Sequence, residues 1–220
     1  MQFDIETTKF IQADALAQLV DDIRLQGYSI QDNLLSADLI SRLQNEVETL
    51  DSSQMKVAGV GRKQDFQKEQ NARRDYICWI EESHQAGVDY LAAMSAIKQV
   101  LNRQLMMGLF DYESHYARYQ EGGFYEKHLD AFKGKSNRIL SSVLYLNDNW
   151  TAKDGGEFVL YDERENDSEI GRFLPVKGRI AFFLSEDFPH QVIAANRQRH
   201  SIAGWFRINA SLSGVIDPTR

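Results

Sequence analysis

Cysteine and proline are scarce in this chain, which holds one of the first and three of the second, and each scarcity excludes something. Cys78 alone cannot close an intramolecular disulfide, which removes the disulfide-framed secreted scaffolds and fits a reducing cytoplasm. Set between Tyr76 and Trp79 in an apolar stretch, it reads as a core residue rather than a nucleophile. With so little proline and no Ser/Gly-rich stretch, no linker announces itself, and no internal repeat is visible. Uninterrupted apolar runs stay well short of the roughly 18–20 residues that span a bilayer. The opening Met1–Thr8 segment has neither the basic start nor the apolar centre of a secretory signal. A surplus of basic charge is missing too: the net charge of −7 argues against nucleic-acid binding through bulk electrostatics.

What is present describes an ordinary soluble globular protein. A chain of 220 residues suits one compact domain, and 43% hydrophobic with 26% charged residues can bury a core and solvate a surface. The first half reads helical. Phe10, Ile11, Leu16, Leu19, Val20 and Ile23 recur at helical spacing, with Gly27 placed to end the segment. A short extended piece follows at Tyr28–Ile30. Ser36 is placed to cap a second helix carrying Leu39, Ile40, Leu43, Val47 and Leu50. Tyr76–Ile80 reads as a strand, and Tyr90, Met94, Ile97, Leu101 and Leu105 predict a third helix stopped at Gly108.

From Tyr112 onward the texture changes. Short β-branched and aromatic runs predict strands at Tyr112–Tyr119, Phe124–Asp130, Ile139–Leu146, Glu157–Tyr161, Gly178–Leu184, Gln191–Ala194 and Arg199–Ile208. Turn residues separate them at Gly122-Gly123, Asn147–Asn149 and Asp154–Gly156. Helices followed by many short strands predict an α+β protein: a jelly roll (double-stranded β-helix) with N-terminal supporting helices. Residues 1–110 would form the mainly helical support and 111–220 the jelly-roll core, together one globular domain.

Within that core, Phe124–Phe132 holds His128 and Asp130. On a strand, side chains at i and i+2 share a face, so an imidazole and a carboxylate would point into one space. His190, in Asp-Phe-Pro-His-Gln-Val, is the candidate third ligand. Two histidines and one carboxylate leave three open coordination positions, the arrangement of non-haem iron(II) oxygenases. A lone His-x-Asp is common and marks nothing by itself. Arg199 adds the independent feature, because an arginine entering a buried β-face needs an anionic partner. A bound dicarboxylate would supply one through a bidentate pair. Ser201 and Ala203 share the parity of Arg199 and leave room for a thin ligand, with Trp205 closing the far end. His84 and His115 lack such partners and read as surface or structural, while His200 faces away from Arg199.

Several ordered segments carry a family likeness. Asp75–Ile80, Ser142-Val-Leu-Tyr-Leu-Asn-Asp-Asn-Trp150 and Asn196-Arg-Gln-Arg-His-Ser-Ile-Ala-Gly-Trp-Phe206, together with His-x-Asp and the distal His190, resemble the prolyl 4-hydroxylase branch of the 2-oxoglutarate oxygenases. The likeness is nearest to the hypoxia-inducible-factor prolyl hydroxylases and their bacterial relatives, and runs from roughly Gly27 to Ile208. It implies Fe(II) on His128, Asp130 and His190, with 2-oxoglutarate and O2 as co-substrates and ascorbate as reductant. Arg199 and the Tyr145 hydroxyl would bind the distal carboxylate of 2-oxoglutarate. Tyr119 and Trp205 would line that pocket, and Arg138 would touch a peptide substrate. Arg138 lies on the opposite strand parity from Tyr145, so a strand end or bulge is needed to bring it in. The implied reaction is 4-hydroxylation of a prolyl residue in a protein or peptide, with release of succinate and CO2. A free amino acid or small metabolite is the alternative acceptor; a zinc hydrolase and a non-catalytic interaction domain are the alternatives of other kinds. Ala203 departs from the family where a hydroxyl-bearing residue is expected. Asp154-Gly-Gly-Glu157 resembles the wider superfamily more than the animal enzymes. Gly61–Asp75, with five Lys/Arg against three acidic residues, sits where the family has a substrate-covering loop.

Overall fold

The computed structural model describes residues 9–58, 73–131, 136–163 and 167–209. Of the Gly61–Asp75 segment, only Arg73, Arg74 and Asp75 fall within them, so the expectation of a substrate-covering loop lies outside the described residues.

Three α-helices are described, α1 (Ala13–Gln26), α2 (Ala37–Thr49) and α3 (Gln85–Leu105). Gly27 ends α1 in the left-handed region at φ 82°, its N–H bonded to the carbonyls of Asp22 and Ile23. Phe10 and Ile11 fall before α1 rather than in it. Ser36 N–H binds the Phe10 carbonyl and Ile11 bridges Leu35, so both residues pack in an extended lead-in. Ser36 does cap α2, its hydroxyl accepting from Leu39 N–H at 3.3 Å. Helix α3 stops earlier than Gly108 predicts. Met106 takes the left-handed turn, and the Asn102 amide then clasps both the N–H and the carbonyl of Leu109. Glu46 ties the layers together: its carboxylate accepts the Ala86 and Gly87 N–H groups at the start of α3 and the Tyr116 hydroxyl.

Among the described residues eleven strands follow one another as β1 (Tyr28–Gln31), β2 (Lys56–Val57), β3 (Asp75–Trp79), β4 (Asp111–Tyr119), β5 (Tyr125–His128), β6 (Arg138–Tyr145), β7 (Phe158–Asp162), β8 (Ser168–Phe173), β9 (Ile180–Leu184), β10 (His190–Val192) and β11 (Arg199–Arg207). They form two antiparallel sheets, ordered β1-β9-β6-β11-β4-β3-β2 and β5-β10-β7-β8. The larger sheet is covered twice. Leu140, Leu144, Phe182, Ile202 and Phe206 face the helices, whereas Tyr145, Ala181 and Phe183 face Phe158, Leu160 and Phe188 of the smaller sheet's side. A sheet buried on both faces explains why β9 is apolar throughout. Strand β8 was not predicted, because Ser-Glu-Ile-Gly-Arg-Phe on an exposed edge has no apolar alternation to show. The architecture is the expected jelly roll on helical supports.

Candidate metal centre

Between the two sheets lies a cleft of about 230 Å³, and His128, Asp130 and His190 line it together. His128 ends β5 and His190 begins β10, directly paired across the ladder. Asp130 corrects the strand-parity expectation: β5 ends at His128, and a bend swings Asp130 back to the same side. Candidate ligand atoms of the three lie within 4.8 Å of one another. The His128 Nδ1 meets the Glu126 carbonyl at 2.7 Å and the His190 Nδ1 the Phe188 carbonyl at 3.1 Å. Carbonyls only accept, so each Nδ1 carries the proton and each Nε2 keeps its lone pair. Those Nε2 atoms lie 3.7 and 3.8 Å from the Asp130 oxygens, too far for hydrogen bonds and close enough to share an ion.

Protonation suits the same purpose. Burial and the neighbouring His128 push His190 down to about 4, so it is neutral near pH 7. Burial alone would raise the Asp130 carboxyl; His190, His128 and the Ser141 hydroxyl outweigh it and hold the group well below the usual carboxylate range. Two imidazoles and one carboxylate therefore face one point, the donor set that suits a divalent iron ion.

Deeper in the cleft, Arg199 is 1% exposed, an expensive place for a permanent charge. Its Nε donates to the Gly156 carbonyl at 3.1 Å and its guanidinium carbon lies 5.0 Å from the ring centres of both Tyr119 and Tyr145. Among the described residues, Arg199 Nη2 and Tyr145 Oη are buried without a well-formed hydrogen bond. Burial raises the Tyr145 phenol despite the opposing pull of Arg199, so the hydroxyl stays a donor. An unsatisfied guanidinium N–H on the cleft-lining Arg199 and the Tyr145 hydroxyl beside it, in the same molecule as two imidazoles and a carboxylate lining that cleft, fit a ligand that is chelating at one end and anionic at the other.

Arg138 reaches the cleft by the route its parity demands. The β6–β11 register shifts between Phe206 and Arg207, and Arg138 lands over the Trp205 ring, 3.6 Å from its centre. Glu113 holds it there through a 3.0 Å ion pair. His115 was misread. It lines the cleft, buried between Trp79 and Trp205 at 5.2 and 5.5 Å, and its parity with Ala117 and Tyr119 on β4 was the available signal. Arg73 and Asp75 were also missed as cleft residues. Their fork-to-carboxylate pair at 2.5–2.6 Å sits beside Tyr125, with Arg73 lying 4.4 Å from that ring and the ring stacked 3.6 Å from His128. The i,i+2 spacing of an arginine and an aspartate at a strand start was the clue.

The family model of the 2OG-Fe(II) oxygenase superfamily matches residues 114–207. Among solved structures, a Pseudomonas putida prolyl-4-hydroxylase is 37% identical with a TM-score of 0.79, over 89% of this chain and 100% of that one. A Trichoplax adhaerens prolyl hydroxylase, solved with a peptide fragment of the hypoxia-inducible factor oxygen degradation domain, shares the fold at 22% identity and TM-score 0.76, over 91% of this chain and 95% of that one. A Phytophthora capsici prolyl 4-hydroxylase does so at 19% identity and TM-score 0.70, over 98% of this chain and 68% of that one. A two-histidine, one-carboxylate cluster in a jelly-roll cleft, a matching family model and a relative aligned along its whole length lead to one assignment: this chain belongs to the 2OG-Fe(II) oxygenase superfamily.

Proposed function

We propose that this protein hydroxylates a prolyl residue of a protein or peptide, consuming 2-oxoglutarate and dioxygen and releasing succinate and CO2. The superfamily supports the reaction type, and relatives named as prolyl hydroxylases support the acceptor. The observation that carries the co-substrate is the buried Arg199 Nη2, on a residue that lines the cleft, with the Tyr145 Oη beside it, neither with a well-formed hydrogen bond among the described residues. A hydrolytic metal site has no use for such a pair; a dicarboxylate has.

In this reading His128 and His190, through Nε2, and Asp130, through a carboxylate oxygen, hold Fe(II). Iron with 2-oxoglutarate and dioxygen supplies an oxidant able to break an unactivated C–H bond. The rest falls to the chain's own side chains. Arg199 and Tyr145 bind and orient the far carboxylate. Tyr119 and Trp205 wall the pocket and keep water out. Arg138, held by Glu113 against Trp205, presents a guanidinium edge at the rim to a peptide backbone. Ascorbate is the proposed reductant and the cytoplasm the proposed location, the latter in keeping with the single cysteine.

The test treats a peptide extract with enzyme, Fe(II) and 2-oxoglutarate and maps added oxygen by mass spectrometry. Oxygen on proline supports the reading; oxygen confined to another residue type, or to free amino acids, replaces the acceptor. In the same assay His128→Ala and His190→Ala should abolish succinate formation. Full activity in either variant would remove the ligand assignment.

A further inference from the structure

Asp130 lies beyond the end of β5, so no ladder hydrogen bond steers it, yet its half-buried carboxylate is specifically held. Ser141 Oγ lies 2.7 Å from Asp130 Oδ2, and Ser185 Oγ lies 2.8 Å from Ser141 Oγ. Both serines are sealed from solvent, 1% and 0% exposed. Their direction follows from chemistry. An ionised carboxylate can only accept, so Ser141 spends its one proton on Asp130. Ser141 must then accept from Ser185. The proton order is Ser185 to Ser141 to Asp130.

This relay is rooted in the larger sheet. Ser141 pairs with Trp205 on β11 and Phe183 on β9, and Ser185 N–H bonds to the Ile139 carbonyl immediately beyond β9. The Ser185 carbonyl also accepts from Ala131 N–H, so the same residue grips the backbone next to Asp130. Rotation of a carboxylate about its last bond is broad and close to two-fold, and sets no orientation alone. The Ser141 bond fixes the carboxylate plane, with one oxygen towards His128 and the other, which Ser141 holds, towards His190.

We infer that Ser141 and Ser185 are positioning residues for the metal: a one-way hydroxyl relay by which the larger sheet sets the Asp130 carboxylate in its binding orientation. The inference rests on the metal-centre reading of the triad. Outer partners of metal ligands typically change metal affinity by about 10–100-fold.

The test is Mn2+ titration by calorimetry on the full chain, with the melting temperature of the metal-free protein measured alongside. Ser141→Ala and Ser141→Val should bind Mn2+ about 10–100-fold more weakly, and Ser141→Thr, which restores the hydroxyl, should recover most of the loss. Ser185→Ala should lose less. Adding it to Ser141→Ala should cost nothing further, because Ser185 acts through Ser141. Parent-like affinity in Ser141→Val and Ser185→Ala, failure of threonine to rescue, or fully additive losses would each overturn the relay. Should Ser141→Ala not fold, the threonine variant and Ser185→Ala still decide. A parent protein that bound no Mn2+, or a His128→Ala variant that bound it undiminished, would instead remove the metal-centre reading itself.

Discussion

Arg199 shows how much a single buried side chain can specify. A guanidinium with one donor on a backbone carbonyl and another unpaired is costly to fold around, and that cost is offset only when an anion arrives. Hydrogen bonds to charged groups contribute about 1.5–3 kcal/mol each, so Arg199→Ala should raise the 2-oxoglutarate requirement on the order of 10–100-fold while leaving the metal donors in place. Tyr145→Phe should raise it less, since the guanidinium still answers the carboxylate charge. Steady-state kinetics with varied 2-oxoglutarate decide this. An unchanged KM in Arg199→Ala would place the co-substrate elsewhere. The same arithmetic applies to Arg138 with a different outcome: already paired with Glu113 and stacked on Trp205, it has less to gain from a ligand.

Among the elements, the turn into β7 matters most to that arginine. Gly156, at φ 71°, supplies the carbonyl that receives Arg199 Nε. A Cβ there would meet Ala195 Cβ at 3.1 Å, Arg199 Cδ at 3.2 Å and Trp150 Cζ2 at 3.3 Å. Gly156→Ala should therefore destabilise the fold by about 1–2 kcal/mol, from the left-handed backbone alone. It should also raise the KM for 2-oxoglutarate, because Arg199 must give way. Thermal melts and kinetics on the same variant separate the two effects, and an unchanged KM would show that the turn does not set the arginine. The β6–β11 register shift works similarly for Arg138, moving a side chain from the wrong face into the cleft.

At the scale of the whole molecule, buried neutral histidines tie stability to pH. Burial, helped by Arg73, holds His115 down at about 4, and burial with Arg118 and Arg199 does the same for His200. The unfolded chain takes up these protons near pH 6.5, the folded one only near pH 4. In that window the unfolded state binds more protons, so stability is full above pH 6.5 and is lost as pH falls towards 4. By about pH 5 the loss is on the order of 2 kcal/mol for each histidine. Urea unfolding of the metal-free protein at neutral and mildly acidic pH tests this, and His115→Gln should shrink the difference between the two. An undiminished difference in that variant would mean that His115 is not among the groups responsible.

Most of the framework could be read from the order of residues, because it depends on local rules. Helical spacing and the Ser36 and Gly27 caps placed α1 and α2, and short apolar runs between turn residues placed most strands. The i,i+2 pair His128 and Asp130, the distal His190 and Arg199 stood out because their chemistry is conspicuous in a strand. Tertiary structure decided the rest. Only the sheet pairing brings Ser141 and Ser185 beneath Asp130, sets Arg73 and Asp75 beside Tyr125, and buries His115 against two tryptophans. A buried serine carries no periodic signal of its own, and residues 44 apart become partners only when β6 and β9 pair. What a side chain can do is written in its type; whether it does so depends on which neighbours the sheets bring to it.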